Sequence, residues 1–295
     1  MEDGRHCTEA AFMHDPRVPE TLEGWSVLHQ MFRVRWSDWV VLPESDRKAR
    51  ASEAASALVA MQRGEEGTSA PVTMLGHKGD LLLIHFRKDF DALQAAQLAV
   101  ARLPIAPFLE ATTSFVSVVE LGMYEMTGRI HAGLSERGLK AGTEEFGAAL
   151  AAEMKEQEKR VSSRLWLQVP ARRHVCFYPM SKHRGEVKNW YAEPFDERAR
   201  MMREHGRIGR GYAGRVNQII SGAIGFDDWE WGVDLFADDP LVFKKLIYDL
   251  RFDEATVWYG EFGPFYVGLQ FSPSELPRYL EGEVPALLEQ KGSGE

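Results

Sequence analysis

From Gly24 onward the chain breaks into short runs whose apolar spacing can be read. "GWSVLHQMFRVRW" (24–36) alternates well enough to predict a strand. "PESDRKARASEAASALVAMQRG" (43–64) is rich in Ala, Glu and Arg, with Ser45 or Asp46 as cap and Gly64 as stop, and predicts a helix. "APVTMLGHKG" and "DLLLIHFRK" read as two strands around a Gly-His-Lys-Gly turn, followed by a helix over 89–104 that Pro104 ends. "SFVSVVELGMYEM" (114–126) predicts another strand. The order then returns: a strand over 173–180, and a helix over 194–206 between Pro194 and Gly206. Two strands follow around "GFDD" within 215–237, then a helix over 239–252 capped by Asp239, and a closing strand in "ATVWYGEFGPFYVGLQF". Each half spells β-α-β-β-α-β, the split βαβ unit of ferredoxin-like folds. The expected class is therefore α+β, two fused ferredoxin-like halves forming a dimeric α+β barrel with helices outside. The divisions are an N-terminal arm (1–23), a first half (24–126), a helical connector (127–172), a second half (173–274) and a C-terminal tail (275–295), of which "KGSGE" reads as solvated.

Composition narrows the partners. The 295 residues are 44% hydrophobic and carry a net charge of −9, which argues against broad nucleic-acid binding; an anionic ligand would need a local basic pocket. Cys7 and Cys176 are the two cysteines, too few for a disulfide framework, so a reducing compartment is expected. No apolar leader and no run of about 18 apolar residues is present, which gives the expectation of a cytoplasmic protein without a membrane span.

Three clusters carry candidate chemistry. None of the nine histidines falls into a metal-binding motif, but His205 closes a predicted helix with Met201 and Met202 one turn back. It could complement the helix dipole or act as a single axial haem ligand. In "HVCFYPMSK" strand alternation sends Val175 and Phe177 to one face and Cys176, Tyr178, Met180 and Lys182 to the other. Tyr178 is then either an amphipathic core residue or a redox or acid–base tyrosine, with Lys182 at the mouth of its cavity. In "HGRIGRGYAGRVNQ" Arg207, Arg210 and Arg215 lie among glycines, as a solvated loop or as forks for carboxylates. "GFDDWEWGVDLFADDP" alternates Trp229, Trp231, Val233 and Leu235 as a buried strand face.

Taken together, "HVCFYPMSK", "NWY…PF", "EHGRIGRGYAG", "QIISGAIGFDDWEWGVDLFADDP", "RFDEA" and "YGEFGPFYVG" resemble the bacterial coproheme decarboxylases of the chlorite-dismutase superfamily. The likeness is dense over 173–270 and traceable over 24–126, including "SFVSVVEL". It implies two ferredoxin-like halves per subunit, a homopentamer, and transient contact with a coproporphyrin ferrochelatase that supplies the substrate. It also implies a reaction, in which hydrogen peroxide drives conversion of two propionates of iron-coproporphyrin III (coproheme) to vinyl groups, giving haem b. Carried over by position, His205 is the iron ligand, Tyr178 the tyrosine that acts on the propionate, and Gln218 the distal residue. Arg164, Lys182 and Tyr124 hold propionates, Met180 lines the cavity and Arg210 joins the basic set. Chlorite dismutases proper carry a distal arginine where Gln218 stands here. A haem b peroxidase or chlorite-degrading enzyme, or a haem carrier without turnover, are the alternatives.

Overall fold

The computed structural model describes residues 18–64 and 67–288. The first half contains β1 (Thr21–Val34), α1 (Trp36–Val40), α2 (Glu44–Gln62), the short β2 (Arg63–Gly64), β3 (Gly67–Met74), β4 (Leu81–Arg87), α3 (Phe90–Ala101) and β5 (Leu109–Gly122). A helical hairpin of α4 (Tyr124–Glu136) and α5 (Glu144–Leu165) leads to β6 (His174–Lys182), α6 (Phe195–Arg210), β7 (Asn217–Gly222) and β8 (Trp231–Ala237). Then come α7 (Leu241–Leu250), α8 (Glu254–Tyr259), β9 (Gly260–Phe262), β10 (Tyr266–Gln270) and α9 (Leu276–Leu280).

The strands run β10-β3-β4-β1-β5-β7-β8-β6, and β10 also pairs with β6, so eight strands close into one antiparallel barrel. Strand alternation divides the apolar residues accordingly. Val27, Met31, Ile84, Phe115, Phe177 and Phe236 fill the interior. Inside it His29 of the first half meets Asp234 of the second, Nε2 to Oδ1 at 2.9 Å, with the imidazole stacked 4.0 Å from Phe177. Outside, α2 packs Ala51, Ala54 and Leu58 over the first half, and α7 packs Val242, Phe243 and Leu246 over the second. The expected α+β barrel with outer helices is the observed fold.

Several boundaries moved, each for a local reason. The strand expected to start at Gly24 begins at Thr21, because residues 21–23 pair with 120–122 of β5. The strand expected to reach residue 126 stops at Gly122, and Tyr124 opens α4. Gly206 does not end α6, which runs on to Arg210: packing of its apolar stripe outweighs the roughly 1 kcal/mol a mid-helix glycine costs. The expected closing strand from residue 255 is interrupted by α8, capped by Asp253, whose Oδ1 accepts Thr256 N at 3.0 Å. Trp229 sits in the turn before β8 and packs toward the barrel interior, whereas Val233 and Leu235 face outward. Residues 273–288 dock rather than trail. Trp39 Nε1 donates to Leu280 O at 2.9 Å, and Leu276 is fully buried. Of the arm expected over 1–23, residues 1–17 lie outside the described residues, as does the "KGSGE" tail, while 21–23 belong to β1.

One close approach fixes the helical hairpin to the barrel. A Cβ on Gly24 would lie 2.1 Å from the Leu165 carbonyl oxygen, and Trp25 Nε1 donates to Leu167 O at 2.9 Å. Gly24→Ala must push the end of α5 off β1. It is expected to lower stability by about 2 kcal/mol, measured as a drop in Tm; an unchanged Tm would mean that this seam is not tight.

Candidate functional site

The outward row of β6 is Cys176, Tyr178, Met180 and Lys182, since Val175 and Phe177 point into the barrel. The strand continues through Pro179 to Lys182 because β9 takes over the pairing at 180–182. Pro179 has no N–H to offer, and its carbonyl accepts Gly263 N at 2.9 Å. Above this row runs α6. Its Met201 packs with Trp190, the ring under Lys182, and its Ile208 packs against the cluster holding Tyr178. His205 lies between them on the same helical face.

His205 is held by one nitrogen. Nδ1 lies 3.0 Å from Oδ2 of Asp253, whose side chain is fully buried, while His205 keeps 26% exposure. Burial alone would raise the Asp253 pKa. The hydrogen bond and charge of His205, with two bonds from Thr256, overcome that and hold it below the usual carboxylate range. An ionised Asp253 can only accept, so Nδ1 carries a proton and Nε2 is left out of that hydrogen bond.

Lys182 shares this corner. Its Nζ donates to Ala255 O at 3.3 Å and sits 4.4 Å from the centre of Trp190. Burial pushes its pKa down to about 8, against the pull of Asp253 and Glu230. Glu230, itself buried, accepts the Lys182 backbone N–H at 2.7 Å. The sign follows. The folded state binds fewer protons than the unfolded state between about pH 8 and the ordinary lysine value of 10.5, so this lysine's contribution to stability rises with pH across that window. Carboxylate capture by Lys182 has the opposite trend, since the ammonium is lost above about pH 8.

Tyr178 is 3% exposed, stacked 4.6 Å from Phe265 and 5.8 Å from Phe262. Burial raises its pKa, Cys176 adds to the rise, and Arg251 opposes it. Met180 is half-buried against the same cluster. Gln218 is exposed on the outward face of β7, as is Ile220, and a Cβ on Gly209 of α6 would come within 3.9 Å of its Oε1. Tyr124 meets Trp190 and Phe195 at 6.2 and 6.0 Å, with Arg198 5.9 Å from its ring. Burial raises the Tyr124 pKa despite the Trp190 hydrogen bond and the Arg198 charge.

Thus Met201, Lys182 and Tyr124 gather on Trp190, Ile208 of α6 packs on the cluster that holds Tyr178 and Met180, and Gln218 lies against Gly209 of α6. The two arginines are solvent-exposed. Arg210 is exposed on the last turn of α6, its Nη1 lying against Gly206, and Arg164 is exposed on the last turn of α5. Asp253, Trp190 and Arg198 were not singled out from the sequence as site residues. A helix-capping aspartate was the visible signal for Asp253, but its 48-residue separation from His205 hid the pairing.

The model of the chlorite dismutase family matches residues 37–271. The chain belongs to the chlorite dismutase family. A coproheme decarboxylase of Staphylococcus saprophyticus is 40% identical over 86% of this chain and 94% of its own length. A protein of Haloquadratum walsbyi, provisionally described as haem-binding, is 40% identical over 92% of this chain but 49% of itself. The chain likewise spans about half the length of a similarly described Halobacterium salinarum protein, 41% identical. A solved haem-binding protein from Thermus thermophilus superposes with a TM-score of 0.77 at 38% identity, over 91% of this chain and 99% of that one. Chlorite dismutase from Candidatus Nitrospira defluvii, at 17% identity and a TM-score of 0.66, covers 88% of this chain and 96% of its own, and shares the fold. Within this family fold no described helix is long and apolar enough to cross a membrane.

Proposed function

We propose that this chain binds iron-coproporphyrin III and, with hydrogen peroxide, converts two of its propionates to vinyl groups, yielding haem b. The observation that carries this is the His205–Asp253 pair, an imidazole held through Nδ1 by a fully buried carboxylate, on the helix whose Met201 packs on Trp190 under Lys182 and whose Ile208 packs on the Tyr178 cluster. The donor set suits one axial bond to a tetrapyrrole iron. Among the described residues no group of three or more His, Cys, Asp or Glu is gathered for a metal ion, and a porphyrin supplies its own four nitrogens. The coproheme decarboxylase relative supports the substrate, and the relatives described as haem-binding support the ligand class.

His205 Nε2 would hold the iron, with Asp253 fixing its tautomer and raising its basicity. Lys182 would hold a carboxylate, with Arg164, Tyr124 and Arg210 on the remaining acids and Gln218 facing the peroxide side. Tyr178, once it has given up one electron and its phenolic proton to the oxidation that peroxide drives, would regain a hydrogen atom from the propionate carbon next to the ring. Each propionate then loses carbon dioxide, one proton and two electrons to become a vinyl group. The bound iron supplies the chemistry that passes those electrons to peroxide, which gains two protons and leaves as two waters. Assembly as a homopentamer and delivery by a ferrochelatase belong to the same proposal.

Mixing the protein with iron-coproporphyrin III and peroxide is expected to give haem b, separated by chromatography. Unchanged carboxyl content at low peroxide would exclude this reaction, and reversible haem exchange without chemistry would then favour a carrier. Turnover should fall as pH rises through about 8, where Lys182 loses its proton; a rate flat from pH 7 to 9.5 would remove Lys182 from carboxylate binding. Asp253→Asn keeps a competent helix cap while removing the charge behind His205. Haem affinity is expected to drop about 10- to 100-fold, read by Soret titration. An unchanged Kd would show that the aspartate does not tune the ligand.

A further inference from the structure

Trp190, under the Lys182 ammonium, is the inner end of a file of aromatic rings that leads away from Lys182. Its ring meets Tyr259 of α8 edge-on, with centroids 5.3 Å apart, and both rings are buried, at 1% and 2% exposure. The residue before Tyr259 on α8 is Trp258, which is half exposed. Lys188 Nζ stands 5.1 Å from the centre of Trp258 and 5.8 Å from that of Tyr259, so the two outer rings share one ammonium. The file thus runs from beneath Lys182 to solvent.

Tyr259 is equipped to lose an electron and a proton together. Its hydroxyl donates to Oε1 of Glu193, a half-buried carboxylate three residues beyond Trp190. Burial, then the bond and charge of Glu193, raise the Tyr259 pKa, so the phenol keeps its proton at ordinary pH. Oxidising such a phenol is easiest when a base already in contact takes the proton, and a carboxylate is an acceptor with that capacity. Tyr124, the other phenol against Trp190, has the Arg198 guanidinium 5.9 Å from its ring, and a cation there opposes the loss of an electron.

We infer that Trp190, Tyr259 and Trp258 form an electron-entry route, by which a small anionic one-electron reductant of the ascorbate class refills the site when no propionate is in reach. The route rests on the proposed peroxide-driven oxidation and gives it a second outlet. In each passage Trp190 gives one electron to the oxidised site and regains it from Tyr259, whose phenolic proton moves to Glu193. The reductant returns the electron through Trp258, and the proton goes back from Glu193 to the tyrosine oxygen. Two passages supply the two electrons that, with two protons, turn one peroxide into two waters; two reductant molecules have then each lost one electron and one proton. The Lys188 ammonium between the outer rings attracts an anionic donor.

Electron paramagnetic resonance of the haem-loaded Tyr178→Phe protein, freeze-quenched after peroxide, tests this. A tyrosyl radical should form there and be lost when Tyr259→Phe is added, a change that keeps the ring and its packing. Glu193→Gln, which leaves an acceptor beside the hydroxyl but no base, should suppress the same signal, which a purely structural role would not. Trp258→Phe, at an exposed position, should leave the radical in place and lengthen its lifetime in ascorbate. Haem affinity by Soret titration should be unchanged in all three. A tyrosyl signal of full yield without Tyr259, or a decay in ascorbate indifferent to Trp258→Phe, would overturn the route while leaving the proposed function in place. Absence of any protein radical together with absence of haem b formation would remove both.

Discussion

His205→Ala is expected to cost on the order of 100-fold or more in haem affinity and to abolish the Soret spectrum of an imidazole-bound iron. The change is clean because His205 is the exposed member of its pair. Asp253 retains both Thr256 bonds, so the α8 cap survives and the fold should persist, with a stability loss of about 1 to 3 kcal/mol for the carboxylate left without its imidazole. A variant whose Soret band and Kd match the parent would remove His205 as the iron ligand. Added imidazole should restore the parent spectrum, which a merely unfolded variant could not do.

Tyr178→Phe separates binding from chemistry. The ring packs between Phe262 and Phe265, and phenylalanine keeps that packing while deleting the hydroxyl. Coproheme affinity should change little, whereas conversion to haem b should fall about 10³-fold or more, as for removal of a group that acts directly on substrate. The readout is product per peroxide consumed. Normal product yield from the phenylalanine variant would take this tyrosine out of the reaction, whatever else the site does.

What the sequence made legible was strand-borne. Period-two alternation correctly separated Tyr178 and Lys182 from Phe177, and the closed barrel bears out the repeated β-α-β-β-α-β order. Lys182 stays in register because β9 extends the pairing beyond Pro179. What it hid was helical or non-local. Gly206 looks like a stop until the apolar stripe is seen to continue across it, with Met201 buried on one side and Ile208 packed on the other. Tyr124 looks like the end of a strand, yet opens a helix once β5 runs out of partners at Gly122. The union of His205 with Asp253 depends on α6 crossing α8, which no local pattern encodes. Arg164 was named through family likeness alone and Arg210 also through its glycine-rich arginine run, and in the structure they stand on the last turns of α5 and α6.

The strand that seals the barrel, Tyr266–Gln270, is the last of its eight strands in sequence, and its partners are residues 72–74 and 174–177. During synthesis both halves must wait, each with an unsealed flank, until this strand leaves the ribosome. The interval between translating Cys176 and Gln270 is therefore when nascent chains are most open to pairing with one another. Shortening the gene upstream of Tyr266 should yield aggregates rather than a smaller soluble domain.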